Sequence, residues 1–176
     1  EVFQNGKKHE QYYKRGIPQG PLSIVGDADF TGTHVTFMPD DEIFETTIFN
    51  YDTIKTRLRE LAYLNKGLTI KLIDKRAERE QEDTFFYEGG IAHFVEDLSK
   101  NKNPLFEKPV YFDVFFGNTE IEIALQYNDG YNEQILAFAN NVNNVEGGTH
   151  LDGFKFALTK IVNEAGKKLN LIKNDD

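Results

Sequence analysis

The spacing of apolar residues changes from segment to segment, and this change constrains the fold more than any other feature of the sequence. Between Asp52 and Asn65 apolar residues recur at helical spacing, with Asp52 as the expected N-cap and Gly67 placed to end the helix. In the stretches "GLTIKLIDK" and "DTFFYEGG" they alternate, which predicts two paired strands on either side of a charged connection from Lys75 to Asp83. A mixture of both spacings predicts the α+β class, in two packed units.

Further elements follow from the same pattern. Alternation predicts a strand from Gly32 to Asp40, with Val35 and Phe37 on one face. A short helix is expected after Gly89-Gly90, from Gly90 to Lys100. The stretch from Ser99 to Pro109 is rich in Lys, Asn and Pro, which is typical of a solvated connection.

Three more strands are predicted in the second half, in "VYFDVFF", "EIEIALQY" and "EQILAFANNV". Asn128-Asp129-Gly130 predicts a turn before the third, so the three are expected to form one antiparallel meander between Val110 and Val142. A final helix begins at Thr149, with Thr149 and Asp152 as a capping box, and should cover one face of that sheet. Its expected buried stripe is Leu151, Phe154, Leu158, Ile161, Ala165 and Leu169.

Composition excludes several classes of site and of protein. The chain has no cysteine, so it has no disulfide, no thiol nucleophile and no cysteine zinc site. A net charge of -9 repels polyanions and argues against a dedicated nucleic-acid-binding module. No apolar run reaches transmembrane length, and the first residues lack a secretory leader pattern. Because the sequence starts without Met and stops just after a predicted helix, we expect a segment of a longer chain.

Residues for an independent catalytic or metal site are missing from the sequence. Four histidines, His9, His34, His93 and His150, are scattered without the spacing of metal ligands or a catalytic dyad. The pairs Gly89-Gly90 and Gly147-Gly148 lack the surrounding residues of a phosphate-binding loop, which favours a role at helix starts. We therefore predict no catalytic residue and no metal ligand.

The stretch Arg15 to Pro18, "RGIP", resembles the end of the Asp-Asp-Gly-Arg-Gly-Ile-Pro motif found in type II topoisomerases, MutL proteins and histidine kinases. In that motif acidic residues precede the arginine, whereas Gln11-Tyr12-Tyr13-Lys14 precedes it here. The nucleotide motif is therefore absent. The alternative is a strand end followed by a turn, with Pro18 and Pro21 fixing backbone angles.

Five longer blocks, in order and nearly without gaps, resemble the B subunits of bacterial DNA gyrase. They are "RGIPQGPL", "TGTHVTFMPDDEIF", "YDTIKTRLRELAYLNKGLTIKLIDKR", "FYEGGIAHFVEDLSKNKNPL" and "EIALQYNDGYNEQILAFANNVNNVEGGTHLDGFKFALTKIVN". The topoisomerase IV B subunit is the sibling family, and the third and fifth blocks resemble gyrase more. Two other classes stay open at this point: a MutL-like ATPase, which should lack the "EGGTH" and "YNDGY" blocks, and a plain interaction module.

The resemblance implies a place in an ATP-operated clamp that drives DNA strand passage. Residues 1–89 would be the C-terminal part of a GHKL-type ATPase α/β sandwich, and residues 90–176 the first half of a transducer domain with a ribosomal-protein-like fold. ATP and magnesium would act in the intact parent, and neither is expected to bind this segment tightly. The implied partners are DNA, a second B subunit, which completes the clamp, and the gyrase A subunit, in the cytoplasm and without a membrane.

The same resemblance implies specific binding residues. Gly32, Thr33 and Val35 would form the floor of the ATP pocket, with the Thr33 hydroxyl holding the adenine edge through water and Val35 packed beneath the ring. Without the resemblance, an ordinary core strand is the simpler interpretation. Lys155 would face the DNA cavity between two B subunits, although a solvated helix lysine fits the sequence equally well.

Two apolar cores are then expected, meeting near Gly89-Gly90 with few contacts across the boundary. The members expected for the first core are Val35, Phe37, Leu58, Leu61 and Ile70. Those expected for the second are Phe112, Ile123, Leu125, Phe154, Leu158 and Ile161.

Overall fold

The structure is a computed structural model that describes residues 1–76 and 80–172. Its contacts divide the chain into two compact units, Glu1–Tyr51 and Asp52–Asp176. Part of the charged connection predicted between Lys75 and Asp83, residues 77–79, lies outside the described residues. Helices are mixed with antiparallel pairs of strands, as the α+β prediction requires.

The first unit consists of short strands. Four of them form an antiparallel sheet in the spatial order β5-β2-β1-β6, and β3 and β4 form a separate hairpin. In chain order the strands are β1 (Val2–Gln4), β2 (Lys7–Glu10), β3 (Tyr13–Lys14), β4 (Ile17–Pro18), β5 (Ser23–Asp27) and β6 (Gly32–Thr33).

Two tight turns fix the hairpins of this unit. Asn5 and Gly6 join β1 to β2 with φ values of 55° and 74°, and Arg15 and Gly16 join β3 to β4 with 50° and 78°. Positive φ at both central residues is the type I′ turn, whose twist matches that of the flanking strands. The prediction of a strand end followed by a turn at "RGIP" is confirmed. The Arg15 guanidinium also pairs with Asp40, which closes this part of the unit.

The strand predicted from Gly32 to Asp40 is wrong beyond Thr33. Its neighbour β1 runs antiparallel, so that Thr33 lies opposite Val2, and the amide of His34 donates to the Glu1 carbonyl at 2.8 Å. Beyond His34 no described strand pairs with this segment, and an unpaired strand is not stable by itself. Val35 and Phe37, expected in a core, are 75% and 71% exposed.

The second unit begins with a helix and a hairpin that match the prediction. The helix includes Asp52 in its first turn rather than as its N-cap, and Gly67 follows its end with φ +78°. Its elements are α1 (Tyr51–Leu64), β7 (Ile70–Asp74), β8 (Gln81–Phe85), α2 (Gly90–Ser99), β9 (Val110–Phe116), β10 (Thr119–Leu125), β11 (Phe138–Ala139), β12 (Val142–Asn143) and α3 (Thr149–Lys168). The predicted pairs β7 with β8 and β9 with β10 are antiparallel.

The three-stranded meander is wrong because its third strand contains a turn. Asn140 and Asn141 have φ values of 49° and 63°, which reverse the chain inside the expected strand and pair β11 with β12. The preceding turn is confirmed, since the Gly130 amide donates to the Asn128 side chain at 2.9 Å. β9 and β10 therefore form a two-stranded sheet of their own.

The final helix also differs from its prediction. Gly148 is the N-cap of α3, with φ 151° and ψ 174°, a conformation that only glycine adopts readily. Thr149 and Asp152 therefore form no capping box, and no side chain caps this helix end. The helix that lies against β10 is α2 rather than α3. Phe112 and Ile161, expected in a second core, are 39% and 61% exposed.

The most buried side chains of the second unit are Ala62, Tyr63 and Phe85. They belong to α1 and β8, and they share one compact unit with α2 and the β9–β10 hairpin. The compact units thus divide after Tyr51, whereas the predicted family domains divide after residue 89. The expectation of two apolar cores with few contacts across residues 89–90 is wrong, because the Tyr63 ring stacks on the Phe94 ring across that point within one compact unit. The family division at residues 89–90 stays a prediction.

Candidate functional site

Gly32 and Thr33 lie in β6, the last strand of the first sheet. Thr33 is opposite Val2 and Gly32 is opposite Phe3. No described strand pairs with the other edge of β6. The Thr33 side chain is exposed, and its hydroxyl forms no hydrogen bond with another described residue. This hydroxyl can therefore donate to, and accept from, a ligand or water at the sheet edge.

An aromatic pair covers the other face of β6. The Phe30 and Phe3 rings stack with their centroids 4.5 Å apart. A Cβ atom on Gly32 would lie 3.8 Å from the Phe30 ring. Because successive side chains of a strand point to opposite faces, the Thr33 side chain projects away from this pair. Phe3 and Phe30 thus support the strand and leave the Thr33 face open.

Val35 is not on the strand that carries Thr33, which corrects the expected arrangement of the two side chains. Beyond His34 the chain leaves the sheet without regular structure up to α1. Phe37 meets the edge of the Phe49 ring at 5.9 Å. An open depression lies beside this pair, lined by Phe37, Met38, Pro39, Asp41, Thr47 and Phe49. The structure therefore brings Gly32 and Thr33 together and leaves Val35 separate and exposed.

Charged residues surround the N-terminal end of β1, next to Thr33. The Lys8 ammonium lies 2.6 Å from Glu1 and 2.8 Å from Glu10, and the His34 Nδ1 atom lies 2.6 Å from the Glu1 carboxylate. The hydrogen bond with Lys8 and, to a smaller extent, the one with His34 lower the pKa of the Glu1 carboxyl group to about 2. Sequence reasoning missed this cluster, because its members come from three strands or strand ends whose register only the fold defines.

A second cluster lies between α1 and α2. The Tyr63 ring, 1% exposed, stacks on Tyr87 at 3.6 Å and on Phe94 at 4.6 Å. His93 meets both tyrosine rings edge-on, at 5.8 and 5.3 Å. The three parallel rings bury a large apolar area with a defined geometry. Tyr63 therefore anchors α1 to the segment that begins at Tyr87.

The Asp97 carboxylate lies at the polar end of this stack. Its side chain is 11% exposed, accepts a hydrogen bond from the Tyr63 hydroxyl, and pairs with the Lys100 ammonium. An Arg59 nitrogen donates to the same carboxylate at 3.2 Å. Burial opposes ionisation, but Lys100 and Tyr63 outweigh it and lower the pKa of Asp97 to about 2. Burial, with the hydrogen bond to Asp97, raises the pKa of Tyr63 well above its usual value.

The remaining sequence-predicted residues are Lys155 and the two glycine pairs. Lys155 is on α3, where its ammonium lies 3.5 Å from the Glu133 carboxylate and the side chain is half exposed. Gly90 is the first residue of α2 and Gly148 caps α3, which confirms the helix-start role of both glycine pairs.

In the described residues, no group of three or more His, Asp or Glu side chains is arranged to hold a metal ion. No helix in that part of the chain is long and apolar enough to cross a membrane.

Comparison with known proteins identifies the family. The DNA gyrase B family model matches residues 90–176. The DNA gyrase B subunit of Staphylococcus epidermidis is 50% identical over 175 residues, which are 99% of this chain and 27% of that protein. The Clostridium acetobutylicum gyrase B subunit is 49% identical over 177 residues, 100% of this chain and 28% of that protein. This chain belongs to the DNA gyrase B family.

Solved structures of gyrase B have the same fold. The 43K ATPase domain of Thermus thermophilus gyrase B, in complex with an aminocoumarin, superposes with a TM-score of 0.79 at 40% identity, covering 99% of this chain and 48% of that one. The Myxococcus xanthus gyrase B subunit superposes with a TM-score of 0.80 at 26% identity, covering 94% and 49%. The chain thus spans about a quarter of the length of the curated gyrase B subunits it matches. The α+β prediction and the resemblance to gyrase B are confirmed.

Membership of the gyrase B family leaves the individual binding residues open. Gly32, Thr33 and Val35 as nucleotide contacts, and Lys155 as a DNA contact, stay predictions. Tyr63 and Asp97 were not found from the sequence. A tyrosine in α1 and an aspartate in α2 are common residues in any helix, so the sequence pattern does not indicate that the side chains of Tyr63 and Asp97 form a contact.

Proposed function

We propose that this chain is part of the ATP-operated clamp of a type II DNA topoisomerase, in which ATP binding and hydrolysis drive DNA strand passage and supercoiling. The observation that carries the proposal is 50% identity to a DNA gyrase B subunit over almost the whole chain. The fold supports it, because the chain superposes along 99% of its length on a gyrase B ATPase domain. The parent protein is then an ATP-hydrolysing isomerase that acts in the bacterial cytoplasm.

Within that clamp, residues 1–89 are the C-terminal part of the ATPase domain and residues 90–176 the first half of the transducer. The family match beginning at residue 90 supports this division. So does the start of α2 at Gly90, directly after the β7–β8 hairpin and its short connection.

Nucleotide binding in the parent involves Gly32, Thr33 and Val35. The residues present fit part of such a site: the Thr33 hydroxyl has no described partner, and Val35, two residues further along the chain, has an exposed apolar side chain. ATP, with magnesium, supplies the energy of the cycle when bound. Thr33 orients the adenine edge by hydrogen bonding. The chain alone holds only this edge of a pocket, so we expect neither ATP nor magnesium to bind it tightly.

The partners of the parent are DNA, a second B subunit, which completes the clamp, and the gyrase A subunit. Lys155 is the candidate DNA contact, since it is half exposed on α3 and its one ion pair among the described residues, with Glu133, has the long distance of 3.5 Å. A lysine there attracts phosphate without regard to sequence. The net charge of -9 means that this attraction is local.

The test is reconstitution of the full-length parent with its gyrase A partner on relaxed plasmid. We expect ATP-dependent negative supercoiling, and no magnesium-dependent, saturable ATP turnover by the 176-residue chain alone. A purified, folded parent that binds gyrase A and hydrolyses ATP without changing plasmid topology would overturn the proposal.

A further inference from the structure

Lys66 connects the end of α1 to the β9–β10 hairpin. Its ammonium lies 2.6 Å from the Glu122 carboxylate, contacts the Tyr111 hydroxyl, and sits 4.6 Å from the centroid of the Tyr111 ring. The Tyr111 hydroxyl donates to the same Glu122 oxygen at 2.7 Å. One lysine therefore joins both strands of the hairpin through a closed triad.

The register of the hairpin explains why Tyr111 and Glu122 converge. Tyr111 is paired with Ala124, two residues from Glu122, so the two side chains are diagonal neighbours on one face of the sheet. Glu122 and Ala124 are half-buried on β10, the strand against which α2 lies. The triad thus lies on one face of the hairpin, and its glutamate belongs to the strand next to α2.

The stem of Lys66 is held by a second contact, with Gly90. This glycine begins α2, is buried, and has φ +55°. A Cβ atom at position 90 would lie 2.5 Å from Lys66 Cε and 2.7 Å from its Cγ, which is closer than carbon atoms approach. Any other residue at position 90 would therefore require the lysine stem to move, so the stem and the ammonium together place Lys66 between α2 and the hairpin.

These two contacts distinguish Lys66 from a surface ion pair such as Lys71 with Glu82. That pair joins neighbouring strands at 2.8 Å with side chains 51% and 48% exposed. The Lys66 and Glu122 side chains are 41% and 25% exposed, and the lysine is held at stem and tip. Glu122, followed by Tyr111, raises the pKa of Lys66, so its charge is kept at any physiological pH. An isolated exposed pair contributes little to stability, whereas several groups that form a network, as Lys66, Tyr111 and Glu122 do, can contribute more.

We propose that Lys66 is a positioning residue: it holds the β9–β10 hairpin to the end of α1, so that a shift of α1 during the ATP cycle moves the hairpin with it. This inference rests on the proposed clamp function. In chain order, Lys66 comes from the segment proposed to end the ATPase domain, and Tyr111, Glu122 and Gly90 from the proposed transducer. The lysine is therefore a direct physical link between the two.

The experiment uses the full-length parent with gyrase A, and compares Lys66→Glu, Glu122→Lys and the charge-swapped double variant with wild type. Hydrogen exchange reports whether Lys66 still holds the β9–β10 hairpin. We expect peptides spanning 110–125 to exchange at least about fivefold faster in each single variant and to recover in the double variant. The rates of ATP hydrolysis and of supercoiling, measured together, report how well the hairpin couples ATP hydrolysis to supercoiling. We expect supercoiling per ATP hydrolysed to fall about fivefold in each single variant and to recover in the double one.

Lys71→Glu is the matched control, because it reverses the same charge in an ordinary cross-strand pair. It should leave both the 110–125 peptides and supercoiling per ATP at wild-type values. Faster exchange at 110–125 with unchanged supercoiling per ATP would overturn the proposed role of Lys66 in coupling. Unchanged exchange in the single variants would show that Lys66 does not hold the hairpin. A wild-type protein that fails to supercoil would overturn the clamp function instead, and the exchange data would still decide whether Lys66 holds the hairpin.

Discussion

The Tyr63 hydroxyl donates a hydrogen bond to the Asp97 carboxylate, although the two residues are 34 positions apart in the chain. This bond, with the stacked rings of Tyr87 and Phe94, fixes α1 to α2 inside the second unit. Arg59 and Lys100 approach the same carboxylate, so one buried anion balances two cations and one hydroxyl donor. The position of α1 therefore depends on the charge of Asp97.

Replacing Asp97 with Asn should destabilise the second unit. The amide is nearly the same size but cannot balance Lys100 and Arg59, and one of its donors would face cationic neighbours. Loss of a largely buried, charge-assisted hydrogen bond costs about 1 to 3 kcal/mol. The measurement is urea unfolding followed by tyrosine fluorescence, with Asp113→Asn as control, since Asp113 is exposed and forms no ion pair with a described residue. Equal unfolding midpoints for the two variants would contradict this role of Asp97.

Acid should remove the same contribution from wild type. The pKa of Asp97 is about 2 in the folded chain against an ordinary 3.8, so its ionised form favours folding above pH 4. The contribution is lost as the pH falls from about 4 to about 2, and the difference in pKa corresponds to about 2 kcal/mol. Unfolding free energies of wild type and Asp97→Asn should therefore converge across this interval. A gap that stays constant down to pH 2 would show that Asp97 is not the group that titrates.

The sequence predicted the elements whose signals are local. The helical spacing of α1, the glycine after it, and the alternation in β7, β8, β9 and β10 all depend on residues within a few positions of one another. Such patterns can be recognised because the spacing lies within a single element and does not depend on which other element packs against it. The blocks resembling gyrase B were equally readable, since they are properties of the sequence itself.

Predictions that needed distant partners failed. The alternation around Val35 and Phe37 has no adjacent strand to pair with in the described structure, so a good strand pattern lies outside the sheet. Asn140 and Asn141 signal a turn, but the apolar run before them favoured a strand. Contacts such as Tyr63 with Asp97 and Lys66 with Glu122 join ordinary residues at long separation, and no local spacing encodes them.

The turn between β1 and β2 should depend on Gly6. This residue has φ +74°, and a Cβ atom there would meet no other atom within 4 Å. Gly6→Ala should therefore destabilise the first unit through backbone strain alone, by roughly 1 to 2 kcal/mol. Gly20→Ala is the control, because the space around Gly20 is equally open and its φ is not in the positive range. Thermal unfolding of both variants measures the difference, and equal midpoints would contradict the strain.

The nucleotide role of Thr33 can be tested in the full-length parent. Thr33→Leu removes the hydroxyl at the open edge of β6, whereas Thr33→Ser keeps it in place. If the hydroxyl holds the adenine edge, Thr33→Leu should weaken binding of a non-hydrolysable ATP analogue by about 1 to 3 kcal/mol, roughly 5-fold to 150-fold in Kd. Thr33→Ser should stay near wild type.

Calorimetric titration measures both affinities, and circular dichroism confirms that each variant is folded. Because the Thr33 side chain is exposed and forms no hydrogen bond with a described residue, its replacement should leave the unfolding midpoint unchanged. Weaker binding in a folded Thr33→Leu, with Thr33→Ser unaffected, would therefore assign the effect to the hydroxyl and not to the sheet. Wild-type affinity in the Leu variant would remove Thr33 from the pocket, and would leave Gly32 and Val35 as backbone and apolar contacts without the polar group that selects adenine.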